Sequence, residues 1–298
     1  MKACLKLCRW PNLLMVGLAQ LLFKYAFLPS FDVYSKLSDL DFLWLCLSVI
    51  LVTASGNIIN DIYDIGADFI NQRPRPLTTQ SISTKKAYTV YITFNLASLL
   101  IARHLSIKYE IMELVGFVLI VIILLYFYSL YLKSIPLLGN ILISVLVSLS
   151  FLLVLYVELF AFEQQSISTE LMYWIIGYGS FAFWANLNRE WIKDVMDIKG
   201  DYAQKISTLP ILLGKSRMNM LIFTSTLLLI LSLIAGVKVY FQLDLLFILY
   251  LTFGICVPLC FVLFHIYQEQ LKANYKLLSH IYKIVMLMGV FSLILFKI

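Results

Sequence analysis

Residues 57–68 read NIINDIYDIGAD and close an apolar run that begins near residue 41. Placed on one helix, Asn57, Asn60, Asp61, Asp64 and Asp68 fall within an arc of about 100°. Three carboxylates in that arc repel one another and call for a cation. Hard oxygen donors of this kind suit Mg2+, which takes one or two carboxylates together with water and substrate phosphates. A second stretch, residues 189–201, reads REWIKDVMDIKGD and follows another apolar run. Its polar residues Arg189, Glu190, Lys193, Asp194, Asp197 and Asp201, with Asn186 just before them, also share one side of a helix. Asp197 and Asp201 stand at i and i+4, where two side chains can reach one ion. Arg and Lys among the acids point to a ligand that is itself anionic, because guanidinium and ammonium groups both bind phosphate. Six of the ten aspartates in the chain lie in these two stretches, which argues against ordinary solvated helix ends. Gly200 is expected to end the second helix.

The rest of the chain reads as scaffold. Of its 298 residues, 61% are hydrophobic and 13% are charged, against about 25% charged in a soluble domain. That excludes a soluble enzyme and predicts an all-α, polytopic membrane protein. Apolar runs fall roughly at 12–28, 41–59, 87–103, 114–132, 137–157, 171–188, 219–237, 245–266 and 280–297. Each is close to the length that crosses a hydrocarbon core about 30 Å thick. The expectation is about nine transmembrane helices around a central cavity, in a single domain over 1–298. The first run follows Lys2, Lys6 and Arg9 and precedes no small-residue cleavage signal, so it reads as a retained span. No internal repeat or low-complexity tract interrupts the series. The five cysteines form no C-x-x-C pair, so a disulfide framework is not expected. Cys256 and Cys260, at i and i+4, could be drawn with His265 as a metal site, but cysteine more often serves as a small apolar residue.

Charge fixes an orientation. The net +6 marks the cytoplasmic ends of spans rather than a nucleic-acid surface. With nine spans, sixteen Lys and Arg residues fall on the side of the N-terminus, from Lys2 to Lys276. Five fall opposite: Lys36, Arg103, Lys108, Lys238 and Lys297, together with the acidic loop carrying Glu158, Glu163 and Glu170. Both acidic stretches therefore face the cytoplasm, as does the expected mouth of the cavity. The expected setting is an integral plasma (inner) membrane, with the N-terminus inside.

Other basic residues flank the two stretches on that face. Arg73-Pro74-Arg75-Pro76 is a stiff loop, since each proline fixes its own φ and biases its predecessor away from helix. It can hold two guanidiniums toward phosphate. Tyr128 and Lys133 end the fourth span, and Lys205 follows the second acidic stretch. Each also has an ordinary reading as an interfacial anchor.

In these residues the chain resembles the UbiA-type intramembrane prenyltransferase superfamily over nearly its full length. The N-D-x-x-D-x-x-x-D pattern stands as Asn60, Asp61, Asp64 and Asp68, followed by R-P-x-P at Arg73–Pro76. The D-x-x-D-x-x-x-D pattern stands as Asp194, Asp197 and Asp201. Tyr128, Lys133, Gly139 and Asn140 match a Y-x-x-x-x-K element with a later G-N, and Lys205–Pro210 match K-x-[ST]-T-L-P. The form R-E-x-x-K-D-x-x-D-x-x-G-D resembles the digeranylgeranylglyceryl phosphate synthase branch more than the 4-hydroxybenzoate branch. One departure concerns the loop: Leu77-Thr78-Thr79 stands where the family often has Ser-Gly.

The resemblance implies alkyl transfer from a prenyl pyrophosphate donor to a lipophilic acceptor. The acceptor it implies is the hydroxyl of geranylgeranylglyceryl phosphate, a membrane lipid precursor. It implies Mg2+ as cofactor, one ion held by Asn60, Asp64 and Asp68 and another by Asp197 and Asp201. Arg73, Arg75, Lys133, Arg189, Lys193, Lys205 and Tyr128 would bind the pyrophosphate side. Asp61, Asp64, Asp194 and Asp197 would serve catalysis, with Asp61, Asp194 or the pyrophosphate itself able to take the acceptor proton. Tyr63, Tyr128, Phe183 and Trp184 could shield an allylic cation, and the prenyl tail would lie in an apolar tunnel between helices. An aromatic quinone precursor or a tetrapyrrole is the alternative acceptor. An ion-coupled transporter is a more distant reading, disfavoured because no Asp or Glu falls in the middle of a predicted span.

Overall fold

The computed structural model describes residues 2–33, 37–160, 168–240, 245–269 and 274–297. Three residues used above to orient the chain, Lys36, Glu163 and Lys272, lie outside the described residues. The described residues are almost wholly helical and contain no strand. Helix α1 (Lys2–Leu7) leads into α2 (Trp10–Leu22), which continues through a π-helical turn at Phe23–Phe27 and a 3-10 turn at Leu28–Phe31. Then come α3 (Asp39–Tyr63), the short α4 (Ile65–Ile70), α5 (Thr84–Tyr109) and α6 (Glu113–Leu130). They are followed by α7 (Leu138–Leu155), α8 (Thr169–Ala203), α9 (Leu209–Tyr240), α10 (Leu245–Leu251), α11 (Val257–Glu269) and α12 (Tyr275–Phe291). Polar caps set several starts. Ser38, Ser83, Ser168 and Asn274 each accept a hydrogen bond from a backbone N–H of the first turn, which satisfies one of the donors a helix start leaves open.

Eight helical segments among the described residues are long and apolar enough to cross a membrane, which makes this a multi-pass membrane protein. The remaining predicted span, 171–188, lies in α8 and is less apolar than those eight segments. At 35 residues α8 runs for about 52 Å. It crosses the bundle among α7, α9 and α12 and carries its last turns beyond.

Helices α2, α3, α6, α7, α8 and α12 form a ring, with α5 packed outside α3 and with α9 and α11 outside α8 and α12. In a bilayer, apolar contact alone does not favour helix association over lipid. Close packing and interhelical hydrogen bonds do, at roughly 0.6 kcal/mol per bond. The bundle has a series of them. Ser48 meets Ser98 at 2.7 Å and Ser55 donates to Asn95 at 2.6 Å, joining α3 to α5. Asn188 donates to Ser225 at 2.9 Å, joining α8 to α9, and Thr226 meets Tyr282 at 2.6 Å, joining α9 to α12. Gln20 donates to the Ser150 carbonyl at 2.7 Å, drawing α2 onto α7 across one end of the ring. Stacked and edge-on rings of Phe23, Phe27, Phe151, Trp174 and Phe296 fill that same end. The cavity is therefore open at the end where the acidic stretches lie.

Two sequence expectations change. Glu158, placed in an outer loop, is buried and pairs with Lys24 of the first span at 3.4 Å. Gly200 does not end α8, which continues to Ala203.

Candidate active site

The first acidic stretch is not one continuous helix. The chain leaves α3 at Tyr63, Asp64 has φ −88° and ψ 1°, and α4 restarts at Ile65. This break swings the last turn relative to the first. Asn57, Asn60, Asp64 and Asp68 line the cavity, whereas Asp61 does not. Asp61 is buried and accepts a hydrogen bond at 2.5 Å from Arg9. Arg9 sits at the α1–α2 junction in the left-handed region, at φ 55° and ψ 51°, a costly backbone for a non-glycine residue.

The second stretch approaches from α8. Glu190, Lys193, Asp194, Asp197 and Asp201 all line the same cavity, with Arg189. The helices carrying the two stretches touch at Gly200. A Cβ there would lie 2.6 Å from the Ala67 carbonyl oxygen and 2.3 Å from Asn71 Nδ2, so only glycine lets α4 come this close. Asn71 also donates to the Asp197 carbonyl at 3.4 Å.

Basic side chains join the two acidic sets. Arg73 pairs with Asp197 and lies 3.8 Å from Asp68, thereby bridging the stretches. Arg75 lies 3.7 Å from Asp68. Lys133 pairs with Asp64, whose other oxygen accepts from Asn60 at 2.7 Å. Lys133 is positioned by a tight turn onto α7, where a Cβ at Gly139 would lie 2.9 Å from its Cα and 3.2 Å from the Tyr128 ring. Asn140 donates to Asp194 at 2.8 Å. Lys193 donates to Glu190 at 2.5 Å, with Arg189 3.7 Å from the same carboxylate.

The departure at Leu77-Thr78-Thr79 has a structural counterpart. The Thr78 hydroxyl accepts from the Arg75 N–H at 2.9 Å and stands 2.8 Å from the Arg73 carbonyl. A hydroxyl thus closes the loop and fixes both arginines.

Burial dominates the electrostatics. It pushes the Asp68 carboxyl up against the opposing pull of Arg75. It pushes Asp197 up to about 6, with Arg73 opposing, and Asp201 up to about 7, with Asp197 adding to the rise. Burial also pushes Lys193 down to about 8.

The donor set suits a hard metal ion. Asn60, Asp64, Asp68, Asp197 and Asp201 offer only oxygen ligands to one cavity. Asp197 Oδ1 is buried without a hydrogen bond, although the Arg73 guanidinium lies against it. Among the described residues, no three acidic or thiol or imidazole groups converge closely enough to enclose an ion. Arg73 and Lys133 stand between them instead.

Below this polar end the cavity becomes an apolar channel between α3, α6 and α7. It is lined by Val52, Gly56, Leu125, Ile143 and Val147, and Phe117 and Tyr156 stand at its far end. Their rings meet edge-on, with centroids 5.1 Å apart. The total volume is about 950 Å³, at the upper end for small-molecule sites. Along α7 and into the π-helical turn that follows at Tyr156–Phe160, the lining runs from Gly139 to Tyr156, about 25 Å along the axis.

Two expectations do not find a place here. Lys205 is exposed, in a left-handed turn after α8, and does not line the cavity. Of the four aromatic residues expected at the reacting centre, only Tyr128 lines it. Conversely, Arg9, Asn12, Lys276 and His280 line the cavity without having been expected there, and Asn186 lines it on the face the helical arc assigned to it. Arg9 and Lys276 had been counted only as charges at span ends.

A family model described as the UbiA prenyltransferase family matches residues 20–288. The chain is 30% identical over 248 residues to a digeranylgeranylglyceryl phosphate synthase from Methanosphaera stadtmanae, covering 83% of this chain and 84% of that one. It is 33% identical over 200 residues to the protein of the same name from Sulfolobus acidocaldarius, covering 64% of this chain and 67% of that one. Its fold is similar to that of a UbiA homolog from Archaeoglobus fulgidus solved with DMAPP and Mg2+. That likeness has a TM-score of 0.61 at 18% identity and covers 98% of this chain and 99% of the other.

Proposed function

This chain belongs to the UbiA prenyltransferase family, and we propose that residues 1–298 act as one catalytic domain that prenylates geranylgeranylglyceryl phosphate. The donor is an allylic prenyl pyrophosphate, geranylgeranyl by preference, and the acceptor is the free hydroxyl of the lipid. The carbon–oxygen bond to pyrophosphate breaks, the ether bond forms, and the hydroxyl proton leaves with pyrophosphate. The observation that carries this reading is the single cavity in which two acidic stretches and their arginines and lysines face the mouth of a deep apolar channel. The names of the relatives favour this acceptor.

Asn60, Asp64 and Asp68 on one wall and Asp197 and Asp201 on the other would hold Mg2+, as the Archaeoglobus homolog, with bound Mg2+, supports. Magnesium at such a site neutralises pyrophosphate and stabilises the leaving oxygen. Arg73 and Lys133, set between the acidic residues, are placed to grip phosphate oxygens. Tyr128, where the polar mouth meets the channel, presents its ring to positive charge developing on the allylic carbon. The channel walls take the prenyl tail and keep water from the cation. Asp61, held by Arg9 outside the lining, positions Arg9 rather than touching substrate. The chain is read as residing in the cell membrane, and the charge bias of the loops supports a cytoplasmic mouth and an N-terminus inside.

The test is product mass spectrometry with purified protein, Mg2+, labelled geranylgeranyl pyrophosphate and a panel of acceptors. The expected product is the diether phosphate, with Asp64→Ala and Asp197→Ala each slower by at least about a hundredfold. Transfer only to an aromatic acceptor, or near-normal rates in both variants, would refute it.

A further inference from the structure

Beside the main cavity lies a second hollow of about 320 Å³, between α1, the start of α2, α8 and α12. Lys6, Arg9, Arg75, Arg189, Lys193 and Lys283 line it, and among the described residues no acidic one does. Asp61, Asp68 and Glu190 pair with Arg9, Arg75 and the Arg189–Lys193 pair from outside its wall. Three carboxylates against six cations leave the hollow with an excess of positive charge. Lys6 and Lys283 have no ion pair among the described residues. The Nε atoms of Arg9 and Arg189 are buried with no hydrogen-bond partner.

Lys283 is the most informative of these residues. It lies two turns inside α12, a helix apolar enough to span the membrane. A charge there is costly and calls for a counter-charge. Lys276 and His280 precede it at i−7 and i−3 and line the main cavity. α12 thus faces the main cavity with one part of this face and the basic hollow with the next. Arg9, Arg75, Arg189 and Lys193 line both spaces.

We propose that the basic hollow seats the phosphate monoester of the acceptor, held by Lys6 and Lys283 together with the free guanidinium edges of Arg9 and Arg189. A phosphate monoester carries nearly two negative charges at neutral pH, which matches the uncompensated cations. The shared wall of four cations separates this phosphate from the donor's pyrophosphate, so that two like charges can occupy adjacent compartments. The glycerol hydroxyl, a few bonds from the phosphate, then reaches past the wall into the main cavity. This assignment rests on the acceptor reading proposed above, but its site can be probed separately.

The first arm titrates glycerol 1-phosphate into protein already saturated with Mg2+ and inorganic pyrophosphate, reading thermal stability in detergent. Wild-type protein should show a saturable shift, weakened about tenfold or more in Lys283→Gln and Lys6→Gln. No shift in the wild type, or equal shifts in all three proteins, overturns the proposal. The second arm measures kinetics with geranylgeranylglyceryl phosphate and with its dephosphorylated alcohol. Lys283→Gln should raise KM for the phosphate by about tenfold, leave KM for the donor within about twofold, and carry no penalty on the alcohol. A matching rise in donor KM assigns the hollow to pyrophosphate instead and overturns the proposal, and so does an equal penalty on both acceptors. Saturable glycerol 1-phosphate binding without prenylation of the lipid refutes the acceptor reading and leaves the phosphate site standing. Vesicles of phosphatidylglycerol that abolish the glycerol 1-phosphate shift would assign the hollow to bulk anionic lipid and overturn it.

Discussion

Asn71 Oδ1 accepts a hydrogen bond from the Gly200 backbone N–H at 3.0 Å, fastening the loop helix α4 to the spanning helix α8. The side chain bridging the two acidic stretches, Arg73, is two residues from that bond. Gly200→Ala must push the Asn71 amide and the Ala67 carbonyl away. The expected cost is about 1–3 kcal/mol of stability, with a larger loss of turnover because Asp68 and Asp197 separate. Thermal unfolding in detergent and single-turnover rates measured together check this. Unchanged turnover would show that the clasp does not align the two stretches.

Thr78→Val keeps the shape of the side chain and deletes the hydroxyl that ties Arg73 and Arg75 into one loop. A loss of about 1 kcal/mol is expected. It should appear as weaker donor binding, because both guanidiniums then sample more orientations. Donor KM in Thr78→Val and Thr78→Ser distinguishes hydroxyl from packing: the serine variant should behave like wild type.

Mg2+ demand should depend on pH. Burial pushes Asp197 up to about 6 and Asp201 up to about 7. Below those values each carboxyl holds a proton that a metal must displace, and above them the ligands are already charged. The Mg2+ concentration for half-maximal activity is therefore expected to fall as pH rises from 6 to 8 and to level off above Asp201's value. Isothermal titration of Mg2+ at several pH values should also register protons released on binding below pH 7 and few above it.

Chain-length choice should be set where Phe117 and Tyr156 meet. Replacing either ring with alanine extends the channel, and longer allylic donors should gain relative to geranylgeranyl pyrophosphate. Competition between labelled donors of different length measures the ratio directly. No change in preference would place the limit elsewhere on the lining.

At the opposite end, Lys24 and Glu158 are both almost fully buried and 3.4 Å apart. Glu158→Gln leaves a charged lysine uncompensated in an apolar setting, at a cost of about 3 kcal/mol or more. The double change Lys24→Met, Glu158→Leu should recover most of it. Melting temperatures of the two variants in detergent check the pair.

The spans were legible because lipid demands long apolar runs, and each predicted run falls on a helical segment of the bundle. The ligand stretches were legible because acids at i, i+3 and i+4 are conspicuous against such a background. What stayed hidden has physical causes. Asp61 lies on α3 before the break and is taken up by Arg9, a partner 52 residues away that no local pattern in NIINDIYDIGAD announces. Gly200 reads as a helix stop until a neighbouring backbone is seen against it. Counting charges by loop passes over Lys24 and Lys283, since both sit within spans and each answers to groups distant in sequence. Lys205 matches a motif, yet the turn at the end of α8 leaves it exposed. Thr78 offered no signal of its own, because its role depends on carbonyls that only the folded loop brings near.

Helix α8 is far longer than a hydrocarbon core about 30 Å thick, and its excess length carries Asp194, Asp197 and Asp201. Any tilt that the bilayer imposes on its lower turns is transmitted along a rigid rod to those acids, and through Asn71 to α4. Acyl-chain length in the host membrane thus becomes an adjustable variable of the reaction, acting through hydrophobic mismatch with no residue altered.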